Sequence, residues 1–367
     1  LLHIPGTETL RPDITTWAAC LQESGYETAT MGKWHLSDDP IPYGFDLNVG
    51  GTHSGGPPRG YFPPNPVPGL EDSPAGEYVT DRLHDEAIEF ITDNQENPWC
   101  LYLTHFAVHT PIQGKKELVE KYKAKAPGVL HDHAVMAAMI ESVDEGVGRV
   151  IDALDDLGLT ENTAVLFFSD NGGYGPATSM APLKGYKGCY YDGGIRVPFF
   201  VKWPGVVTEG TFCREPIIGV DIFPTFLEMA GADAPGQPMD GVSIMPLLRG
   251  ERSLDREAIY WHFPAYLQSY QRWNEQRDPL FRSRPCGIIR AGDWKLHEYF
   301  EDGGLELYNL RADISETTNL AETNPEKTAE LLAMMRQWRE DVDAPIPTEP
   351  NPAFDAEVEA AAIEKKQ

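Results

Sequence analysis

The sequence contains no apolar run approaching the roughly 20 residues that span a bilayer; its longest apolar stretches are strand-sized. Its first residues show no basic-then-apolar leader pattern, which leaves the compartment open. Cysteine is scarce, five in 367 residues at wide and irregular spacing, giving neither a zinc pattern nor a dense disulfide framework. The odd count leaves at least one thiol unpaired within the chain. Positive charge is short as well: 30 Lys and Arg stand against 57 Asp and Glu, a net charge of −27. That excludes nucleic acid as a partner, because phosphate backbones need a basic face. No internal repeat is present.

What remains is an ordinary soluble composition, 41% hydrophobic and 24% charged. A chain of this length buries a sizeable core and suits one large and one small domain. Apolar spacing predicts helices over Pro12–Ser24, Tyr78–Asp93 and His133–Leu157, the last carrying Met136, Ile140, Val143, Val147, Val150, Leu154 and Leu157 on one face. Strands are predicted over Tyr26–Met31, Trp99–Phe106, Ala164–Phe168 and Val197–Val201. Between Gly50 and Gly76 lies a Gly- and Pro-rich stretch without regular structure. Alternating helices and near-continuous apolar strands imply an α/β fold, a mostly parallel central sheet with helices on both faces.

From about Arg256 the pattern changes. Short strands (Ala258–His262, Gly287–Ala291, Trp294–Tyr299, Leu305–Tyr308) precede a helix opening at Asn324-Pro325, with proline in its first turn. The domains read from this are 1–255, 256–343 as a small α+β subdomain, and 344–367 as a loose acidic tail.

Three stretches place a cation or a hard-metal ligand beside glycine: Gly32-Lys33-Trp34-His35-Leu36, Ser169-Asp170-Asn171-Gly172-Gly173, and Lys184-Gly185-Tyr186-Lys187-Gly188 running on to Asp192-Gly193-Gly194-Ile195-Arg196. Glycine lets backbone approach a ligand, Asp and Asn offer oxygen to a hard cation, and Lys and His place positive charge around an anion. Together they describe a pocket for a small tetrahedral oxyanion. His35, His109 and Asp170 each follow a predicted strand, at the carboxyl ends where such sheets collect ligands. Each has an ordinary rival reading: Asp-Asn-Gly-Gly is a common turn, and a lysine beside a histidine is commonly a solvated face.

At these residues the chain resembles the sulfatase family of the alkaline-phosphatase-like superfamily. The matching motifs are Gly32 to Leu36, His109-Thr110-Pro111, Ser169 to Gly172 and Lys187 to Pro198, with lesser matches at Tyr43 to Asp46, Leu307 to Leu310 and Glu316 to Leu320. The resemblance covers roughly residues 10 to 340. It implies hydrolysis of sulfate monoesters, arylsulfatase and N-acetylgalactosamine-sulfatase types pointing to sulfated sugars as substrates. It implies Lys33, His35, His109 and Lys187 as catalytic residues, calcium (less readily magnesium) on Asp170 and Asn171, formylglycine as nucleophile, and a secreted or periplasmic location. Register with the family favours Lys187 over Lys184, and Arg196 reads as a loop-fixing partner of a carboxylate. The alternatives are a phosphoester or phosphonate hydrolase of the same superfamily, or a non-catalytic oxyanion-binding remnant.

The family's C-x-[PA]-x-R or S-x-P-x-R motif, source of the formylglycine, is missing. Cys20, Cys100, Cys189 and Cys213 lack an Arg four residues on, Cys286 has Arg290 but Ile288 where Pro or Ala belongs, and Ser283-Arg284-Pro285 has Gly287 where Arg belongs. The expectation is therefore a sulfatase lacking its N-terminal portion, inactive as it stands. Asp38-Asp39 reads as a surface turn, His131-Asp132-His133 as an exposed helix start, and His105 as structural.

Overall fold

The computed structural model describes residues 1–6, 9–62, 68–270, 277 and 279–366. Helix α1 (Trp17–Glu23) leads into β1 (Glu27–Gly32) and β2 (Leu47–Val49). Then come α2 (Val79–Asp93), β3 (Trp99–Thr104), α3 (Lys116–Lys123) and α4 (Ala134–Asp156). The first helix starts later than apolar spacing suggests, because Thr16 stops the chain there: its hydroxyl accepts the N–H of Ala19 at 3.1 Å and donates to the carbonyl of Tyr43 at 2.6 Å.

Strand β1 lies between β2 and β3, parallel to both. Residues 28 to 32 of β1 are buried throughout, as expected for a parallel strand covered on both faces. One face meets α2 and α4 through Val79, Leu83, Ala87, Ile91, Met139 and Leu154. The other meets α1 through Leu21 and Cys20, with Leu227 from later in the chain packed beside them. Burying one such Leu or Ile side chain stabilises the fold by about 1.5–3 kcal/mol.

The chain continues with β4 (Val165–Phe168), the short α5 (Asp192–Ile195), β5 (Phe199–Lys202), α6 (Ile222–Ala230) and α7 (Met245–Leu248). Here the structure departs from the expected sheet. Strands β4 and β5 pair antiparallel with each other and form a separate ribbon, so the parallel sheet has three strands among the described residues. The long connection from Ser169 to Pro198, which carries α5, returns the chain antiparallel and lays Phe168 opposite Phe199. An apolar strand reads the same in either direction, so sequence could not distinguish them.

The C-terminal region holds β6 (Ile259–Phe263), β7 (Leu267–Gln268), β8 (Phe281–Ser283), β9 (Cys286–Ala291), β10 (Trp294–Tyr299) and β11 (Leu305–Asn309). Strands β11, β10, β9 and β6 form an antiparallel sheet in that order. Helix α8 (Pro325–Asp341) packs Leu331 and Met335 onto Ile289, Leu296 and Leu307, while Trp338 stacks on Tyr260 with ring centroids 4.8 Å apart. The expected loose tail is corrected: residues 356 to 364 form helix α9 (Ala356–Glu364), capped by Asp355, whose carboxylate accepts N–H groups of Glu357 and Val358. Glu359 pairs with Arg284 at 2.9 Å, tying that helix to the domain. Acidic composition alone concealed the cap. Among the described residues, no helix is long and apolar enough to cross a membrane.

Candidate active site

The first functional stretch leaves the end of β1. Gly32 has φ +107° and faces the carbonyl of Thr104 so closely that a Cβ would lie 1.9 Å from that oxygen. This lets Lys33 donate its N–H to the same carbonyl at 2.7 Å. His35 follows with φ 65°, a left-handed conformation costly for a residue bearing Cβ, held by its N–H donating to Thr52 at 2.9 Å. Backbone strain of this kind concentrates at functional positions.

The second stretch follows β3. His105 pairs with His84 through their Nε2 atoms at 2.8 Å, and burial pushes the His105 imidazole down to about 3, so it is a neutral structural group. The chain then turns and presents His109, whose Nδ1 lies 3.1 Å from the carbonyl of Thr110. The hydroxyl of Tyr61 braces this turn at 2.6 Å from the carbonyl of Phe106 and 2.9 Å from that of His109.

The third stretch, after β4, is a turn in which Ser169 Oγ donates to the carbonyl of Asn171 at 3.1 Å. The N–H of Gly172 donates to Gly194 at 2.9 Å, and the N–H of Lys187 donates to Gly173 at 3.0 Å. A Cβ on Gly172 would lie 1.9 Å from the carbonyl of Gly193, and one on Gly194 2.0 Å from that of Cys189. The sequence suggested that these glycines open room for a ligand; in the structure they let backbone meet backbone, knitting two loops together.

These loops bring Lys33, His35, His109 and Lys187 within electrostatic range of one another, with Asp170 in range of His109 and Lys187. Burial lowers His35, and Lys33, His53, His109 and Lys187 lower it further. Burial likewise lowers His109, helped by Lys187 and Lys33 and opposed by the Thr110 carbonyl and Asp170. The Lys187 ammonium is lowered by burial too, with Asp170 opposing and Lys33 and Arg282 assisting. Lys33, His109 and Lys187 are partly buried while His35 and Asp170 are exposed, a solvent-accessible cluster rich in nitrogen bases that suits an incoming anion.

Several neighbours take other roles. Lys184 Nζ donates to the carbonyl of Glu316 at 3.3 Å and sits 3.8 Å from the centroid of Tyr191. Arg196 lies 3.5 Å from Asp192. His133 caps α4, its Nδ1 accepting from Met136 at 3.2 Å, and Asp39 accepts the N–H of Ile41 at 3.0 Å. Sequence reasoning missed His53, which sits in the Gly- and Pro-rich loop beside His35, and Arg282, which donates to the Lys187 carbonyl at 3.2 Å. Neither stands in a motif, although His53-Ser54-Gly55-Gly56 repeats the pattern of a polar group beside glycine.

Cys286 is buried in β9, and burial pushes its thiol far up, so it is no nucleophile. Asp170 and Asn171 offer at most three side-chain oxygens where calcium takes about six to eight. Among the described residues no group of three His, Cys, Asp or Glu side chains gathers to hold a metal. These residues therefore fit part of a calcium site and do not enclose the ion.

The sequence profile described as Sulfatase matches residues 5–232, well over half the chain. This chain belongs to the sulfatase family. A second profile, N-sulphoglucosamine sulphohydrolase, C-terminal, matches residues 186–343. A protein named Sulfatase from Formosa agariphila is 38% identical over 73% of this chain, which spans about half (51%) of that relative's length. The sulfatase described as uncharacterized, YdeN of Escherichia coli, is 28% identical over 94% of the chain and 68% of its own length. Among solved sulfatase-like structures, Ps i-CgsB in complex with k-i-k-neocarrahexaose aligns with a TM-score of 0.75 and 27% identity, covering 98% of this chain and 80% of its own. The fold is that of the sulfatases, the small C-terminal antiparallel sheet included.

Proposed function

We propose that this chain carries the anion pocket of a sulfate ester hydrolase acting on sulfated sugars. One observation carries the reading: loops following three separate strands, and a fourth segment at Lys187, deliver Lys33, His35, His109, Asp170 and Lys187 to one place in a chain of net charge −27. An acidic protein that concentrates ammonium and imidazole groups this way has built a local site for an anion. Exposed charges further than roughly 10 Å away are screened at 0.1 M salt, so the pocket outweighs the global field.

In this reading Lys33 and Lys187 hold the sulfate oxygens and offset their charge. In the net hydrolysis water supplies the new sulfur–oxygen bond as the ester sulfur–oxygen bond breaks; His109 gives a proton to the departing alcohol oxygen, and His35 accepts the proton that the incoming hydroxyl gives up on the sulfate side. Both imidazoles are held below their usual range before the anion arrives. The anion's own charge raises them, so binding substrate arms the proton donor. Calcium, where its remaining ligands are supplied, would add positive charge beside Asp170 and Asn171. The formylglycine belongs to the family's chemistry, and neither Cys286 nor Ser283, which donates to the carbonyl of Gly188 at 2.7 Å, is available to supply it.

The test is release of inorganic sulfate from a panel of sulfated sugars by the gene's full translation product, beside Lys187→Ala. Sulfate release that falls at least 100-fold in the variant supports the reading. Release of phosphate from phosphate or phosphonate esters with no sulfate release would replace it.

A further inference from the structure

We propose that His53 is a further binding residue of this site, contacting the anionic substrate beside His35. This deepens the reading of the pocket as a sulfate ester site and rests on it. The ring of His53 lies 6.0 Å from that of His35, centroid to centroid, with planes at 66°. Its Nδ1 is sealed from solvent and has no hydrogen-bond partner among the described residues. His84 and His262, which also carry a buried unpaired Nδ1, use the opposite nitrogen, His84 with His105 and His262 with the carbonyl of Pro345 at 2.8 Å. Neither nitrogen of His53 meets a protein group among the described residues. A polar ring left unpaired is costly unless a ligand or water completes it.

The loop that carries His53 is fixed on both sides. Asn48 and Gly51 exchange two hydrogen bonds, at 2.9 and 3.0 Å, and Ser54 Oγ donates to the carbonyl of Gly56 at 2.6 Å. The carbonyl of Thr52, one residue before His53, accepts the N–H of His35 at 2.9 Å. Gly55 and Gly56 then pass the rings of His35 and His109; a Cβ on Gly55 would lie 2.8 Å from His35 Cε1, and one on Gly56 3.4 Å from His109 Nδ1. Thus the segment wraps two candidate catalytic imidazoles and holds a third in place beside them. With Nδ1 sealed, the ring nitrogen that can reach substrate is Nε2, whose N–H can donate to a sulfate oxygen or to the ester oxygen.

Calorimetric titration of this chain with sodium sulfate tests the assignment, comparing wild type with His53→Ala, His53→Gln, Lys187→Ala and the surface control His131→Ala. Loss of one hydrogen bond to an anion predicts about tenfold weaker sulfate binding in His53→Ala. His53→Gln, which keeps an N–H donor, should recover part of it, and His131→Ala should match wild type. In proton NMR spectra, sulfate should also move the ring resonance that His53→Gln removes. If Lys187→Ala loses sulfate affinity while His53→Ala stays within twofold of wild type, the pocket stands and the role of His53 is overturned. No sulfate binding by wild type would overturn both.

Discussion

The carboxylate of Glu316 accepts the backbone N–H of Asp192 at 2.6 Å, across 124 residues of sequence. Lys295 Nζ stands between the two carboxylates, 2.9 Å from each, and all three side chains are almost entirely buried. Lysine holds the Glu316 carboxyl down to about 2 despite burial, which acts the other way. The loop bearing Lys187 is thereby anchored to the C-terminal sheet. Removing one member of a buried pair strands the other charge at a cost of about 3–5 kcal/mol. Glu316→Ala should therefore lower unfolding stability in urea by about that much, and Glu316→Gln by less. A loss below about 1 kcal/mol in Glu316→Ala would contradict the anchoring role.

Lys184 and Lys187 should separate by property. Lys184, on the ring of Tyr191, contributes chiefly to stability, and Lys184→Ala should cost about 0.5–2 kcal/mol with sulfate affinity retained. Lys187→Ala should leave stability nearly unchanged, or raise it by removing a partly buried charge, and should weaken sulfate binding. Parallel measurement of urea midpoints and sulfate titrations checks both, and the reverse pattern would show that the two lysines exchange roles.

Sulfate binding should tighten as pH falls. His35 and His109 lie below their ordinary 6.5 in the free protein, and a bound anion raises them, so binding takes up protons between the free and bound values. Titration in buffers of different ionisation enthalpy should show net proton uptake on sulfate binding. Proton release, or affinity independent of pH, would contradict the arrangement.

Stability should fall on acidification through a different set of groups. Burial lowers His84, His105 and His297 in the folded chain, His105 to about 3 from 6.5. Unfolded histidines bind protons first, so stability from these groups is complete above 6.5 and erodes as pH drops below it. Glu316 adds its loss only at lower pH, below its ordinary 4.5. A urea midpoint unchanged between about pH 7 and 5 would argue against the neutral His84–His105 pair.

The sequence marked candidate residues for the site because their types are few and specific: lysine, histidine and a carboxylate beside glycine after a strand. What it concealed depends on pairings between distant residues. Nothing in Glu316 or Lys295 alone marks them as a buried pair, since charged residues are ordinarily exposed. The β4–β5 ribbon was hidden because an apolar run carries no direction. His53 was hidden because a Gly- and Pro-rich loop gives no periodicity from which to place a side chain.

Thiol reactivity offers a check on Cys286. Cys213 is exposed, whereas Cys20, Cys189 and Cys286 are buried and burial pushes the Cys100 thiol up to about 12. In the native chain a thiol reagent should label Cys213 and spare Cys286 until unfolding. Early labelling of Cys286 would reopen it as a reactive group.

The central claim is that one pocket, formed by residues from four segments, receives a tetrahedral sulfur oxyanion. The most direct measurement is a crystal structure of this chain grown with sodium sulfate. The account predicts a tetrahedral anion within hydrogen-bond distance of Lys33 Nζ and Lys187 Nζ and beside His109. Sulfate held elsewhere on the surface, with these side chains turned away from one another, would contradict it.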